Sequence, residues 1–301
     1  MSEHRIAARA FALLVLGAAC IGCAPLLVRL ADVGPVASAF WRMALAAPVL
    51  WLVARRFEAT PAAAGTTATA GGLTLRRAGL LSGLFFAGDL AVWHFSITMT
   101  TVANSTLLAN CAPIVVTVYA WLAYRQRPRP AFMVALLLAM AGAFTLVGPN
   151  FRAGGRALSG DLLGFVTSGF YSAYMLCINR AQARGTMLRL IALTTTVSAI
   201  VLLPVAWGFC AALDQPFWPH TGQGWLVVVA LALLTQSLGQ GSITYALTHL
   251  PVSLSATTLL LQPLLSTLGA WLLFGERLGA AQLAGGAVLL AAIWLARRSA
   301  R

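Results

Sequence analysis

One carboxylate lies deep inside an apolar stretch of this sequence. Of the seven acidic residues, only Asp89 falls near the middle of such a stretch. At helical spacing it shares one face with Ser82, Trp93, Ser96 and Thr100. Because an ionised carboxylate in lipid costs at least about 2.5 kcal/mol on insertion scales, this face predicts the wall of a polar cavity. Asp89 could hold a proton or a substrate ammonium group there, or it could be a hydrogen-bond partner between helices.

His94 follows five positions later, which is about 140° around a helix of 3.6 residues per turn. Its imidazole could titrate near neutral pH beside Asp89, although a lone histidine is often a structural hydrogen-bond group. No serine or cysteine nucleophile with a recognisable elbow accompanies it. The C-x-x-C pair, Cys20 and Cys23, is interpreted as two small buried apolar residues. The sequence therefore predicts no catalytic residue, no cofactor and no metal site.

Neutral polar side chains form further helical stripes. They occur at Thr106, Asn110 and Thr117, at Gln236, Gln240 and Thr244, and at Ser255, Thr258, Gln262 and Ser266. Amides and hydroxyls suit a zwitterionic or polar neutral ligand, although such residues also hold membrane helices together. If the stripes converge, Asn110, Gln240 and Gln262 are predicted to bind substrate.

Aromatic residues are predicted to add contacts to the same site. The candidates are Tyr171, Tyr174, Tyr245 and Trp41. The alternative is that these rings belong to the aromatic belts found where membrane helices meet water.

The elements that carry these residues are apolar runs long enough to cross a bilayer. The chain is 60% hydrophobic and 9% charged, whereas soluble proteins carry about 25% charged residues. A helix crosses the hydrocarbon core with roughly 20 residues. The sequence predicts ten such helices, at 10–30, 35–54, 78–98, 102–122, 130–149, 160–179, 189–211, 223–247, 252–274 and 279–296.

All 20 basic residues are arginines, and they cluster between the apolar runs. With the N-terminus inside, 15 of them fall on the inner side and 4 on the outer side, with Arg42 inside the second run. This asymmetry predicts a multi-pass protein of a bacterial-type inner membrane with both termini in the cytoplasm. The arginines form no stripe interleaved with aromatic residues, which argues against nucleic acid as a partner.

The sequence repeats itself at a shift of 150 residues. Nine of the 30 positions from 98 to 127 match, among them Pro113 with Pro263, and both prolines are predicted to kink their helices. Five runs lie in each half, and because five is odd, the second half is predicted to enter the membrane upside down. Inverted repeats are typical of alternating-access transporters with a site near the bilayer midplane.

The predicted fold is therefore all-α, with ten transmembrane helices arranged as two inverted five-helix repeats around a central cavity. The repeats are placed at 1–149 and 160–301. Residues 58–75, rich in alanine, threonine and glycine, are predicted to form a flexible cytoplasmic loop in the first repeat.

These features resemble the EamA-type members of the drug/metabolite transporter superfamily. The resemblance rests on Pro263, WLLFGERL at 271–278 and Gly285-Gly286 in the second half, and on Pro113, WLAYRQR at 121–127 and Phe40-Trp41-Arg42 in the first. The sequence departs from the family pattern at one position, because the usual glutamate is kept as Glu276 but is Gln126 in the first half.

The resemblance implies a five-plus-five fold in which the third, fourth, eighth and ninth helices line much of the cavity. It also implies export of amino acids or related metabolites, with aromatic amino-acid exporters among the members. Arg42, in the aromatic-arginine pattern, joins Trp41 among the predicted substrate-binding residues.

Three functions are compatible with the sequence. The inverted repeat favours a secondary exporter of amino acids or related small metabolites that works by alternating access in a lipid bilayer. The alternatives are an intramembrane enzyme using Asp89 and His94, and a membrane subunit that transports nothing. No Walker sequence is present, which argues against ATP hydrolysis as the energy source.

Overall fold

The computed structural model describes residues 3–58, 73–100, 102–125, 128–147, 156–181, 186–275 and 279–299. These residues are almost entirely helical, with one isolated β-bridge between Leu73 and Ala181. Most of the predicted loop at 58–75 and the resemblance positions Gln126 and Glu276 lie outside the described residues.

The first half contains helices α1 to α7. They are α1 (Glu3–Gly22), α2 (Ala24–Leu30), α3 (Pro35–Phe57), α4 (Leu75–Met99), α5 (Val102–Ala109), α6 (Ala112–Tyr124) and α7 (Pro130–Val147).

The second half contains helices α8 to α14. They are α8 (Arg156–Arg180), α9 (Met187–Leu213), α10 (Gly222–Ala230), α11 (Gly241–Leu247), α12 (Val252–Leu259), α13 (Leu261–Phe274) and α14 (Ala280–Ser299). A π-helical segment, Leu231–Gln240, joins α10 to α11 without interruption.

Nine helices among the described residues are long and apolar enough to cross a membrane. They occupy nine of the ten predicted runs, and the chain is a multi-pass membrane protein. The tenth run, at 130–149, holds α7, whose apolar stretch Pro130–Thr145 is shorter than the other nine. Large apolar side chains such as Leu122, Leu226 and Leu272 are more than 70% exposed, as expected for side chains that face lipid.

Three of the membrane-crossing segments are interrupted next to a proline. Helix α5 ends at Ala109, four residues before Pro113, and α12 ends at Leu259, four residues before Pro263. A proline has no N–H to bond the carbonyl four residues earlier, and its ring clashes with that carbonyl. The first segment divides in the same way between α1 and α2, close to Pro25.

Helices pack in a pattern that follows the sequence repeat. Helix α3 packs on α9 and α7 packs on α14, so each pair joins a helix to its counterpart about 150 residues later. Helix α4 packs on α8, and their counterparts about 150 residues away also pack on each other. The counterpart of α4 is the π-helical segment with α11, and the counterpart of α8 is α1. This exchange supports a pseudo-two-fold axis between the halves, while the opposite membrane orientation of the two halves stays a prediction.

Candidate functional site

A cavity of about 110 Å³ lies between the two halves of the chain. Its walls come from the α1–α2 segment, α3, α4, α5, α8, the π-helical segment and α13. Seven predicted site residues line it: Arg42, Asp89, Trp93, Asn110, Tyr171, Gln240 and Gln262. The other lining residues are mostly apolar, apart from Thr106, Thr167 and Ser266 with their hydroxyl groups.

The interrupted helices meet at this cavity. Ala109 and Asn110 line it where α5 ends, Gln262 lines it just after the break between α12 and α13, and Pro25 lines it just after the break between α1 and α2. Backbone groups at helix ends lack the partners that a continuous helix provides. Transporters that bind substrate at the membrane midplane commonly use such discontinuous helices.

The carboxylate of Asp89 opens onto the cavity. Asp89 is 9% exposed, and no hydrogen bond or ion pair to its side chain is found among the described residues. Since burying an uncompensated charge is expensive, a carboxylate in this position favours a cationic or hydrogen-bonding ligand.

Arg42 lines the cavity from α3, and a chain of hydrogen bonds to residues outside the cavity fixes its side chain. Its Nη2 donates a hydrogen bond to Gln236 Oε1 at 3.1 Å, and Gln236 Nε2 donates to Thr195 Oγ1 at 2.9 Å. The Arg42 Nε has no partner among the described residues. Arg42 and Asp89 both line the cavity but form no direct ion pair.

Two neutral acceptors on the cavity wall are also without partners. They are Gln240 Oε1 and Thr106 Oγ1. The amide nitrogen of Gln240 is engaged, because it donates to the hydroxyl of Tyr174 at 2.8 Å. Asn110 is held locally, with its Nδ2 donating to the carbonyl of Thr106 at 2.7 Å.

Two of the predicted site residues sit beside the cavity without lining it. Tyr174 is fully buried and stacks on Tyr171 with 5.7 Å between ring centroids, so it supports the wall from behind. His94 is also buried, and its Nδ1 lies 2.6 Å from the carbonyl oxygen of Leu90. The 140° between Asp89 and His94 turns the imidazole away from the cavity.

Two other predicted contacts, Trp41 and Tyr245, also do not line the cavity. Trp41 donates from Nε1 to the carbonyl of Phe217 at 2.8 Å and packs in an aromatic cluster with Trp218 and Trp225. Its chain neighbour Arg42 faces the cavity instead, because consecutive helical residues point about 100° apart. Tyr245 stacks on the ring of His249 at 4.2 Å between centroids.

Sequence reasoning missed the contribution of the first membrane segment. Ile21, Gly22, Ala24 and Pro25 all line the cavity, although none carries a polar side chain. A Cβ at Gly22 would lie 3.1 Å from the carbonyl oxygen of Gln262, so this glycine allows α1 to approach α13 closely. The proline in the run at 10–30 was the available signal for a break.

Comparison with known proteins decides the family. The model of the EamA-like transporter family matches residues 8–148 and 158–298, so it matches nearly the whole chain in two copies. The chain belongs to the EamA-like transporter family. The family model divides the chain close to the boundary that the sequence repeat predicts.

Relatives of this EamA protein include two named as transporters. The pseudopaline exporter CntI of Pseudomonas aeruginosa is 23% identical over 225 residues, which cover 73% of this chain and 76% of that protein. The uncharacterized transporter YwfM of Bacillus subtilis is 27% identical over 199 residues, which cover 65% of this chain and 64% of that protein.

A protein of known crystal structure shares the fold of the EamA chain. The two superpose with a TM-score of 0.76 at 20% sequence identity, and the match covers 100% of this chain and 99% of the other. Together, family and relatives confirm the resemblance to the drug/metabolite transporter superfamily and identify a transporter rather than an enzyme.

Proposed function

We propose that this protein is a secondary exporter of amino acids or closely related small metabolites that works by alternating access. The observation that carries the proposal is the cavity at the meeting point of the interrupted helices, where Asp89 and Arg42 both line the wall without forming an ion pair with each other. A permanently closed structural core would be expected to pair or exclude these charges.

The size of the cavity supports a small substrate. At about 110 Å³ it is well below the roughly 300–1,000 Å³ of pockets that hold drug-sized ligands. Aromatic walls at Trp93 and Tyr171 suit a substrate that carries an apolar or aromatic side chain beside its polar groups.

Export by alternating access is supported by the two-repeat architecture and by the exporter among the relatives. We place the termini in the cytoplasm of a bacterial-type cell and the chain in its inner membrane, as the arginine distribution predicts. Under this topology, substrate enters the cavity from the inside and leaves on the outer side.

The enzyme alternative finds no support in the geometry. It requires Asp89 and His94 to act on one substrate, yet His94 does not line the cavity and its Nδ1 contacts the Leu90 carbonyl. The remaining alternative, a subunit that transports nothing, is separated from a transporter by measuring flux.

The test is counterflow in liposomes that contain only the purified protein and no ATP. The amino acids are screened one by one. Liposomes loaded with an unlabelled amino acid that is a substrate should accumulate the labelled form of the same amino acid. Asp89→Asn should reduce the flux strongly, whereas the control Asp214→Asn should not, because Asp214 is an exposed acid outside the cavity whose positive φ of 51° asparagine also tolerates. Absence of flux for every amino acid and small metabolite in well-folded protein would refute the proposal.

A further inference from the structure

Two opposite charges share one small cavity without neutralising each other directly. Asp89 projects from α4 and Arg42 from α3, both are at least nine-tenths buried, and no ion pair joins them. Two buried charges that attract each other without direct contact recover little of the free energy lost on leaving water, and a ligand that contacts both of them recovers more.

A ligand with a single charge would satisfy only one of these two groups. A monovalent cation at Asp89 would leave the cavity with a net positive charge, and a monovalent anion at Arg42 would leave it with a net negative charge. A zwitterion satisfies both groups and brings no net charge into the membrane.

Resting on the proposed transport function, we propose that Asp89 binds the ammonium group and Arg42 binds the carboxylate of one small zwitterionic substrate. The two residues thereby select for molecules in which both groups are free. Asp89 on α4 and Arg42 on α3 line the same cavity, so one substrate lying in it can contact both residues.

The surroundings of Asp89 fit an ammonium group. An ammonium carries three N–H donors, so one carboxylate leaves donors to spare. Gln240 Oε1 and Thr106 Oγ1 line the same cavity and are acceptors without partners. Gln240 cannot simply turn its nitrogen toward the cavity without losing the hydrogen bond from Nε2 to the Tyr174 hydroxyl.

The surroundings of Arg42 fit a carboxylate. A guanidinium offers five N–H donors in a planar fork that suits a carboxylate. The bond from Nη2 to Gln236 fixes the fork, and the chain from Gln236 to Thr195 anchors it in the packed interface of α3, α9 and the π-helical segment. Gln236 is therefore a positioning residue that orients Arg42 for the substrate.

The experiment compares four ligands in competition with the counterflow substrate found by the liposome screen. They are the free amino acid, its N-acetyl derivative, its amide and its decarboxylated amine. The wild-type protein should prefer the free amino acid to each of the other three by about 30-fold or more, which corresponds to losing one partner of a buried charge pair.

The variants should lose these preferences selectively. In Asp89→Asn, the free amino acid should lose its advantage over the N-acetyl derivative but keep its advantage over the amide. In Arg42→Gln, the free amino acid should lose its advantage over the amide but keep its advantage over the N-acetyl derivative. The control Arg55→Gln, at an exposed arginine of the same helix, should leave both preferences intact.

A structural role for the charges predicts a different pattern. In that case both single variants should unfold at lower temperature, and the double variant Asp89→Asn/Arg42→Gln should recover stability and keep the wild-type ligand preferences. That result would overturn the inference, as would equal competition by all four ligands in the wild-type protein. In either case the observed counterflow would still establish transport. If no counterflow is observed at all, the transport function itself is refuted, before any ligand preference can be compared.

Discussion

The carboxylate of Asp32 accepts two hydrogen bonds from Thr221, the residue that caps the start of α10. Asp32 Oδ2 lies 2.9 Å from the Thr221 backbone nitrogen and 2.8 Å from its Oγ1, and it also accepts from the backbone nitrogen of His220 at 3.1 Å. A Cβ at Gly224 would overlap the carboxylate, so glycine is required there. A second link, from Gly34 N to Pro216 O at 2.8 Å, fastens the same two loops. The first half of the chain is thus tied to the second on the predicted outer side.

Replacing Asp32 should loosen this link. Asp32→Ala removes the acceptor of three hydrogen bonds at a helix N-terminus, where negative charge is also favoured by the helix dipole. The midpoint of thermal unfolding in detergent should fall by a few degrees. The control Asp214→Asn changes an exposed acid of the adjacent loop whose positive φ of 51° asparagine also tolerates, and it should have no effect. Equal unfolding midpoints for wild type and Asp32→Ala would show that the link is not stabilising.

The same contact should make stability depend on pH at the acidic end. The hydrogen bond from the Thr221 hydroxyl, together with those from the backbone of Thr221 and His220, lowers the pKa of Asp32 below its ordinary value. A group whose pKa is lower when folded stabilises the fold above its unfolded pKa, about 3.9, and loses that effect as the pH falls through the folded pKa. The unfolding midpoint of wild type should therefore exceed that of Asp32→Ala by a constant amount from pH 7 to about 5. The difference should begin to shrink below about pH 3.9 and close as the pH falls through the lower pKa of the folded state, and a difference that grows on acidification would contradict the assignment.

A glycine in α7 should be intolerant of any side chain. A Cβ at Gly142 would lie 2.8 Å from both the carbonyl oxygen of Gly285 and the backbone nitrogen of Leu289, and backbone atoms cannot step aside. Gly142→Ala should destabilise the protein by roughly 1–3 kcal/mol through overpacking between α7 and α14. Gly169→Ala, in α8, meets nothing within 4 Å and should be neutral or stabilising by up to about 1 kcal/mol. Denaturant titration of both variants in the same detergent makes the comparison, and equal losses would contradict the packing described.

The prolines at the helix breaks should matter more for transport than for folding. Pro113→Ala or Pro263→Ala restores an N–H that can bond the carbonyl of Ala109 or Leu259 and so allows a continuous helix past the cavity. We expect unchanged or higher thermal stability with counterflow reduced severalfold. Pro204→Ala is the matched control, because Pro204 lies exposed inside the unbroken helix α9. Normal counterflow in both cavity variants would show that the breaks are not needed for transport.

Membrane topology can be tested by cysteine labelling after the five native cysteines have been replaced. With both termini in the cytoplasm, a cysteine at position 65 should react with an impermeant maleimide only from the inside. One at position 215 should react only from the outside. Labelling of both positions from the same side would contradict the inverted-repeat arrangement.

The sequence alone was sufficient for nine of the ten predicted membrane segments and for recognising that the chain repeats itself. A run of about 20 apolar residues is a local property, and lipid imposes helix on it, so nine predicted runs agree with helices in the structure to within a few residues. The run at 130–149 corresponds to α7, in which the apolar stretch Pro130–Thr145 is shorter than the other nine, and the count of apolar residues could not reveal this difference. The repeat was readable because paired residues such as Pro113 and Pro263 occupy the same frame, and the family match spans the same two halves.

Which of the predicted side chains line the cavity was decided by the tertiary structure. Helical phase brought Asp89 and Trp93 to one wall, because residues four positions apart share a helix face. Helical phase could not show that Trp41 and Tyr245 lie outside the cavity lining. The ring of Trp41 is held by the carbonyl of Phe217, far away in the sequence, and Tyr245 stacks on His249.

The first membrane segment contributes lining residues that the sequence could not single out. Gly22 and Pro25 line the cavity with no chemistry of their own, because the break between α1 and α2 packs against α13. Composition and spacing determined that this chain spans a membrane and repeats. Only the packing of one half against the other decided which side chains meet, since contacts between residues more than 100 positions apart leave no periodic mark in the sequence.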